Sequence, residues 1–230
     1  AAGLHPILGV EAYLAPRMIA DRDKFSYHLL LLAENERGYR NLLKLSSKAS
    51  LDGFYYKPRI DLDLLAEHAE GIIATSACLK GPVAANLLNG NEEEARRFAV
   101  TLREIFGPER FFIELQDHGL PEQQQANRKL ISLARELGLP LVATNDVHYL
   151  DQADAAVQDL LVCIQTNTTI HDPKRMRMQS DQLYFKSAEE MWRVFEDVPE
   201  ALENTVRIAE RCQREPSFRL RLMYHIMMAE

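Results

Sequence analysis

Short apolar runs alternate with longer segments of helical spacing along most of the chain. The runs that we predict as buried strands are residues 6–14, 27–33, 71–76, 110–116 and 139–144. The segments with helical spacing of apolar residues are 35–50, 61–68, 81–89, 92–106, 121–137, 152–165, 187–195 and 199–211. Strands that alternate with helices in this way are typical of an α/β protein with a parallel sheet.

Local signals support several of these boundaries. Asp61 is a candidate helix N-cap, and Ser187 with Glu190 three residues later has the spacing of a capping box. Besides the charged residues 16–25, two segments are predicted as loops. They are the aromatic and basic residues 53–60 (GFYYKPRI), which contain a proline, and the basic residues 172–180 (DPKRMRMQS).

The charge balance narrows the classes of function. Of 230 residues, 27 are Lys or Arg and 34 are Asp or Glu, which gives a formal net charge of −7. A dedicated duplex-binding module usually carries a basic surface, so this balance argues against one. It is compatible with a metal-dependent enzyme that acts on phosphates, because bound cations would supply the local positive charge.

Cysteine usage and hydropathy indicate the compartment. The three cysteines are an odd number without close pairing, which argues against a disulfide framework and favours a reducing, cytoplasmic setting. No stretch reaches the roughly 18–20 apolar residues of a membrane span, so we expect no membrane association. There is also no GxGxxG after the first strand and no GK[ST] phosphate loop, so the sequence does not predict those nucleotide sites.

Both ends of the chain are unusual. The sequence begins without Met and directly in a strand pattern, so we expect it to start partway through a fold. Residues 213–230 combine methionines with leucines and arginines, and we interpret them as an atypical tail that needs a partner surface. Because missing strands would expose sheet edges, we also expect self-association.

Candidate chemistry lies at the strand ends, where ligand groups gather in α/β proteins. Four positions meet that criterion: Glu11, Cys78, Asp146 and His148. His28 lies at the start of its predicted strand and joins them only if that strand is entered differently. Asp146 and His148 are two residues apart, so extended backbone would point a carboxylate and an imidazole to one face, where they could bind one divalent ion.

Each of these residues also has a purely structural interpretation. A buried glutamate such as Glu11 can pair with Lys or Arg, and His28 beside four leucines can be a hydrogen-bonded core histidine. Cys78 alone would be a small buried thiol, and an Asp-x-His pair often arises by chance. Only the combination at successive strand ends favours a metal site over these alternatives.

Four further residues are weaker candidates for facing a substrate. His118 follows a strand and could face the site, although a role in capping the next helix is the interpretation we favour. Lys174, Arg175 and Arg177 could contact a phosphate backbone, but such a run is more often a solvated loop.

The aromatic and basic segment leaves two interpretations open. Tyr55, Tyr56, Lys57 and Arg59 place aromatic rings beside cations, a combination found in proteins that bind single strands. A loop that packs on its own domain explains the same residues at least as well.

Seven segments together resemble the polymerase-and-histidinol-phosphatase (PHP) domain of bacterial replicative DNA polymerase III alpha subunits. They are GLHPILGVEAY, YHLLLLAENERGYRNLLKLSSKAS, FYYKPRID, HAEGIIATSACLKG, FFIELQDHGLPEQ, LPLVATNDVHYLDQADA and DPKRMRMQSDQLYFKSAEEMWRVF. The resemblance implies a distorted (β/α)7-type barrel with divalent metals at its strand ends. It makes metal ligands of the residues in the GVEAY, YHL, SAC and NDVHY motifs, namely Glu11, His28, Cys78, Asp146 and His148. The cysteine suits zinc, and the carboxylates and imidazoles also accept manganese or iron.

The same resemblance implies a function. The parent protein would be a DNA-directed DNA polymerase that uses magnesium and works with DNA and other replisome subunits. Its PHP domain would either hydrolyse phosphodiesters as a 3′–5′ exonuclease or only brace the polymerase. A free-standing PHP phosphoesterase is a third possibility, although the basic loop at Lys174 resembles the polymerase-linked form.

Two departures from the family limit what this chain can do alone. The family's early His-x-His motif and later Asp-His pair would precede Ala1, and the polymerase palm with its catalytic aspartates is not in the sequence. We therefore expect residues 1–212 to form a partial PHP domain, incomplete at its N-terminal strands, that runs into the polymerase linker.

Overall fold

The structure, a computed structural model, describes residues 6–212 of the chain. The predicted tail at 213–230 lies outside the described residues. Seven strands form one open sheet in the order β3-β4-β1-β2-β5-β6-β7. The strands are β1 Gly9–Leu14, β2 Tyr27–Ala33, β3 Phe54–Tyr55, β4 Lys57–Ile60, β5 Ile72–Thr75, β6 Phe111–Gln116 and β7 Leu141–Thr144. The sheet and its helices confirm the α/β class.

Eight α-helices connect and cover the strands in the described part of the chain. They are α1 Glu36–Leu51, α2 Leu62–Glu67, α3 Pro82–Leu88, α4 Glu92–Phe106, α5 Pro121–Leu137, α6 Ala155–Gln165, α7 Ala188–Val194 and α8 Pro199–Arg211. The predicted caps are confirmed: the Asp61 side chain accepts from Leu64 N–H at the start of α2, and Ser187 and Glu190 form a capping box before α7. None of the described helices combines the length and apolar composition that a membrane span requires.

The sheet is mixed, and the prediction of a parallel sheet was wrong in one respect. β2 is antiparallel to both of its neighbours, β1 and β5. The pairs β1 with β4, β5 with β6, and β6 with β7 are parallel. A parallel pair needs a crossover connection, usually a helix, whereas antiparallel strands accept a shorter link. Residues 15–26 between β1 and β2 contain only one short 3-10 turn, Ile19–Asp21, so the chain reverses there.

This reversal determines which strand termini share an edge. Because β2 runs opposite to β5, the start of β2 lies beside the end of β5, and it also lies beside the end of β1. The ends of β6 and β7 continue the same edge. His28 is the second residue of β2. It therefore lies at the same edge of the sheet as the predicted ligands on or just after β1, β5 and β7.

The segment 53–60, predicted as a loop, forms a hairpin of β3 and β4. Its second strand pairs with β1 in parallel, with Tyr13 opposite Arg59 and Leu14 opposite Ile60. A pairing between residues so distant in sequence leaves little local signal, and the proline in β4 weakens that signal further. Pro58 is tolerated because β4 has only the two-residue β3 on its other side.

The apolar core lies between the sheet and the helices. Leu29 and Leu31 of β2 are fully buried, and they belong to one cluster with Phe98 and Phe106 of α4 and Phe111 of β6. Burial of side chains of this size contributes roughly 1.5–3 kcal/mol each. The core thus fixes the strands whose edge carries the candidate residues.

Candidate metal centre

Three potential ligands from three strands meet at this edge. Glu11 lies on β1, His28 on β2, and Cys78 shortly after β5. The His28 Nδ1 atom contacts the Glu11 carboxylate and lies 3.7 Å from the Cys78 Sγ atom. One ligand atom from each of the three residues lies within 4.8 Å of the others.

The electrostatics of this cluster favour a positive charge at its centre. The hydrogen bond with the Cys78 thiol, followed by the one with the Glu11 carboxylate, raises the pKa of His28 to about 9 against the opposing effect of burial. The same hydrogen bond with His28 lowers the pKa of Glu11 below its usual value. An oxygen, a nitrogen and a sulfur donor that together stabilise a positive charge match the ligand preferences of zinc. The residues present therefore fit a divalent metal.

Local backbone geometry brings Cys78 to the cluster. Ala77, directly before it, has a left-handed φ of 58°, and its N–H donates to the Thr75 Oγ1 atom at 3.3 Å. The turn closes with a hydrogen bond of 2.8 Å from Gly81 N–H to the Cys78 carbonyl. A Cβ at position 81 would lie 1.8 Å from the Ser76 carbonyl oxygen, so the turn requires glycine there. Left-handed non-glycine residues cost energy and cluster at functional sites.

Asp146 lines the same small pocket as two of these ligands. The pocket has a volume of about 150 Å³, and its walls include Glu11, Cys78 and Asp146. His148 is near enough for its charge to contribute to lowering the pKa of Glu11. The strand ends thus bring Asp146 and His148 towards the cluster, although no ligand atom of either lies within the three-residue group of Glu11, His28 and Cys78.

The predicted reason for pairing Asp146 with His148 was wrong. β7 ends at Thr144, and Asp146 has a left-handed φ of 43°, so the two residues do not share one face of an extended strand. The His148 Nδ1 atom instead lies 2.6 Å from the Asp146 backbone carbonyl oxygen and 4.0 Å from its carboxylate.

A buried glutamate that the sequence interpretation missed forms the floor of the site. Glu114 of β6 lines the pocket and is only 4% exposed. Its carboxylate accepts hydrogen bonds from Thr75 of β5, Thr144 of β7 and Gln116. Burial raises the pKa of Glu114, and these three hydrogen bonds oppose that rise. The network joins the ends of β5, β6 and β7, from which Cys78 and Asp146 extend.

Glu114 had a signal in the sequence. It lies in the predicted strand RFFIELQ, with Gln116 two residues later on the same face. The argument that singled out Glu11, a carboxylate within an apolar strand, applies equally to Glu114.

Two of the weaker candidates for facing a substrate use their polar atoms in contacts within the protein. His118 is buried, with Nε2 3.0 Å from the Asn145 carbonyl oxygen and Nδ1 2.9 Å from the Gln123 side chain, so it supports the loop rather than facing a substrate. Arg175, a weaker candidate for contact with phosphate, is also buried and forms a bidentate ion pair with Asp159. Both side chains satisfy polar groups that burial would otherwise leave unpaired.

Lys174 and Arg177 are exposed and stay candidates for contact with phosphate.

A larger cleft of about 910 Å³ lies at the opposite ends of β6 and β7, where Glu109 and Pro140 precede those strands. The greater volume of this cleft does not make it the candidate metal centre, because the potential metal ligands meet at the other edge of the sheet.

Comparison with known proteins relates the chain to one domain family and to one group of polymerase subunits. The model of the PHP domain family matches residues 1–118. DNA polymerase III subunit alpha of Treponema pallidum is 49% identical over 217 residues, which is 92% of this chain and 18% of that protein. The subunit of the same name from Thermus aquaticus is 42% identical over 235 residues, 98% of this chain and 19% of that protein. The chain therefore spans about a fifth of the length of these relatives.

Proposed function

This chain belongs to the PHP domain family, and we propose that it is the metal-binding PHP portion of a DNA polymerase III alpha subunit that hydrolyses phosphodiesters, in the manner of a 3′–5′ exonuclease. The observation that carries the proposal is the convergence of Glu11, His28 and Cys78 beside a pocket that Asp146 also lines.

Five side chains would hold the metal, with zinc the best fit and manganese or iron as alternatives. They are Glu11, His28, Cys78, Asp146 and His148. A bound divalent ion lowers the pKa of a coordinated water and stabilises negative charge on a phosphodiester. A thiolate in the set favours zinc, while carboxylates and imidazoles also accept the harder ions.

The residues differ in what they can do for the reaction. The His28 side chain is 16% exposed and the Glu11 side chain 53%, so the histidine anchors the cluster and the carboxylate borders solvent. The side chains of His148 and Asp146 are 33% and 39% exposed, and Asp146 borders the same opening. Glu114 holds the strand ends below them at fixed separation through its three hydrogen bonds.

For the whole protein, we propose template-directed DNA synthesis. The named relatives are DNA polymerase III alpha subunits, and the chain covers 18–19% of their length. That proposal implies DNA and other replisome subunits as partners. It also implies magnesium at a separate polymerase centre. No part of the polymerase reaction is assigned to the residues described above.

A structural role is the second candidate, and the surface of α6 favours it. Leu160, Leu161 and Ile164 on this helix are 48%, 52% and 76% exposed. Apolar patches on monomers are commonly interaction sites, and this one suits contact with the rest of a longer chain. In that case the domain would brace the polymerase without catalysing hydrolysis.

His148→Ala in the full-length protein tests hydrolysis directly. Because the variant removes a proposed ligand, we expect it to lower cleavage of a 3′-labelled single-stranded oligonucleotide by about tenfold or more, in line with losing at least about 1.4 kcal/mol of transition-state stabilisation. His171→Ala, which removes an exposed imidazole from the loop after α6, is the matched control.

Metal content, measured by mass spectrometry on the same preparations, separates the two candidate functions. Cleavage by His148→Ala at the wild-type rate would remove the proposal of hydrolysis. A wild-type protein with no divalent metal but a normal thermal midpoint would favour the structural role.

A further inference from the structure

A patch of aromatic rings and cations borders the metal centre. The Lys57 ammonium lies 4.1 Å from the centroid of the Tyr13 ring, and this ring packs edge-on against His28 with 5.4 Å between centroids. Tyr13 is thus the bridge between the β3–β4 hairpin and a proposed metal ligand. We call Tyr13, Lys24, Tyr56 and Lys57 the hairpin patch.

Tyr56 is presented to solvent at the tip of the hairpin. Tyr55 pairs with Lys57, which leaves Tyr56 alone in the turn with a left-handed φ of 60°. Its side chain is 65% exposed, the Tyr55 ring packs edge-on against it, and the Lys24 ammonium lies 4.7 Å from its centroid. Glycine or asparagine is the usual residue for such a turn, so an aromatic ring there is unfavourable for the fold alone.

The structure separates the two interpretations of the segment 53–60. Arg59 is 1% exposed and donates to the carbonyl oxygens of Gly53, Asp23 and Ile19, so it packs on its own domain. Tyr56 and Lys57 are exposed instead, and their rings and ammonium groups remain accessible to a ligand.

We propose that the hairpin patch binds the single-stranded end of a polynucleotide, with a base stacked on Tyr56 and a phosphate beside Lys57. Base stacking on an aromatic ring together with a cation at the backbone is the combination that holds single strands. Duplex DNA hides the faces of its bases, so the patch selects unpaired ends. In a chain of net charge −7, Lys24 and Lys57 provide local positive charge at the rings of Tyr56 and Tyr13.

This inference rests on the proposed phosphodiester hydrolysis and assigns residues that would bind its substrate. The contacts run from Lys57 through Tyr13 to His28, so a strand held on the hairpin patch has its next phosphodiester close to the metal centre. The patch would therefore act on substrate binding and would not take part in the bond cleavage.

The test uses the full-length protein and compares two substrates, an oligonucleotide that contains bases and a small phosphodiester that does not. Tyr56→Ala and Lys57→Ala are expected to lower kcat/KM for a single-stranded oligonucleotide about tenfold relative to kcat/KM for bis(p-nitrophenyl) phosphate, mainly through a higher KM. Tyr56→Phe keeps the stacking ring and should restore the ratio. Trp192→Ala removes an aromatic ring of α7 that is 46% exposed, and it is the matched control.

A second measurement works even if the protein hydrolyses neither substrate. Photocrosslinking of a bromodeoxyuridine oligonucleotide should label the peptide that contains Tyr56, and labelling should fall at least fivefold in Lys57→Ala. Hydrolysis of neither substrate with crosslinking intact would remove the proposed reaction and keep the binding site. An unchanged kcat/KM ratio in both alanine variants, or the absence of the crosslink, would overturn the inference.

Discussion

His28→Ala in the full-length protein is expected to reduce phosphodiester hydrolysis at least about 100-fold, because several kcal/mol of charge stabilisation depend on the metal. The imidazole contacts both Glu11 and Cys78, so its loss removes one potential ligand and leaves a gap between the Glu11 carboxylate and the Cys78 sulfur. Bound divalent metal, measured by mass spectrometry, should fall in parallel.

The control for this variant is His68→Ala, which removes a half-buried imidazole that follows α2. It should keep the metal and the hydrolysis rate of the wild-type protein. A His28→Ala protein that retains its metal and most of its hydrolysis would show that the cluster is not the reactive centre.

The second large effect is expected from Glu114→Ala. The variant leaves the hydroxyls of Thr75 and Thr144 and the amide of Gln116 without their common acceptor at a buried position. Each unsatisfied buried polar group costs roughly 1–3 kcal/mol, so we expect a loss of about 3 kcal/mol in the opening free energy of β6. Hydrogen exchange of the β6 amides in the full-length protein measures that free energy.

Glu114→Gln is the matched variant, because it keeps the shape and an acceptor oxygen. It should lose only about 1 kcal/mol. Metal affinity should fall about 10- to 100-fold in Glu114→Ala, as it does when groups that orient metal ligands are removed. Equal opening free energies for Glu114→Ala and the wild-type protein would contradict the role of this network.

Much of the candidate site could be predicted from the sequence because its residues lie at strand ends. The apolar runs around Glu11, Cys78 and Asp146 predicted the strands, and the strand-end rule predicted a common edge. His28 required more information, because its place at that edge depends on the reversed direction of β2. Strand direction depends on the connection and on pairing between distant residues, and neither leaves a local pattern.

The features that sequence reasoning missed depend on backbone geometry or distant pairing. The left-handed φ of Asp146 cancels the same-face argument for Asp146 and His148, and a pattern of residue types does not report φ at a non-glycine position. The β3–β4 hairpin exists because β4 pairs with β1, more than forty residues away in the chain. Glu114 is different, since its signal was present in RFFIELQ.

The measurement that tests the metal centre most directly is X-ray absorption at the zinc edge of the full-length protein loaded with one equivalent of zinc. The arrangement of Glu11, His28 and Cys78 predicts a sulfur neighbour at about 2.3 Å together with nitrogen and oxygen neighbours at about 2.0–2.1 Å. The sulfur neighbour should disappear in Cys78→Ser, while Cys163→Ser, a change at a second free cysteine that is buried, should leave it in place. A spectrum without sulfur in the wild-type protein, or with sulfur that persists in Cys78→Ser, would contradict the convergence of these residues on one cation.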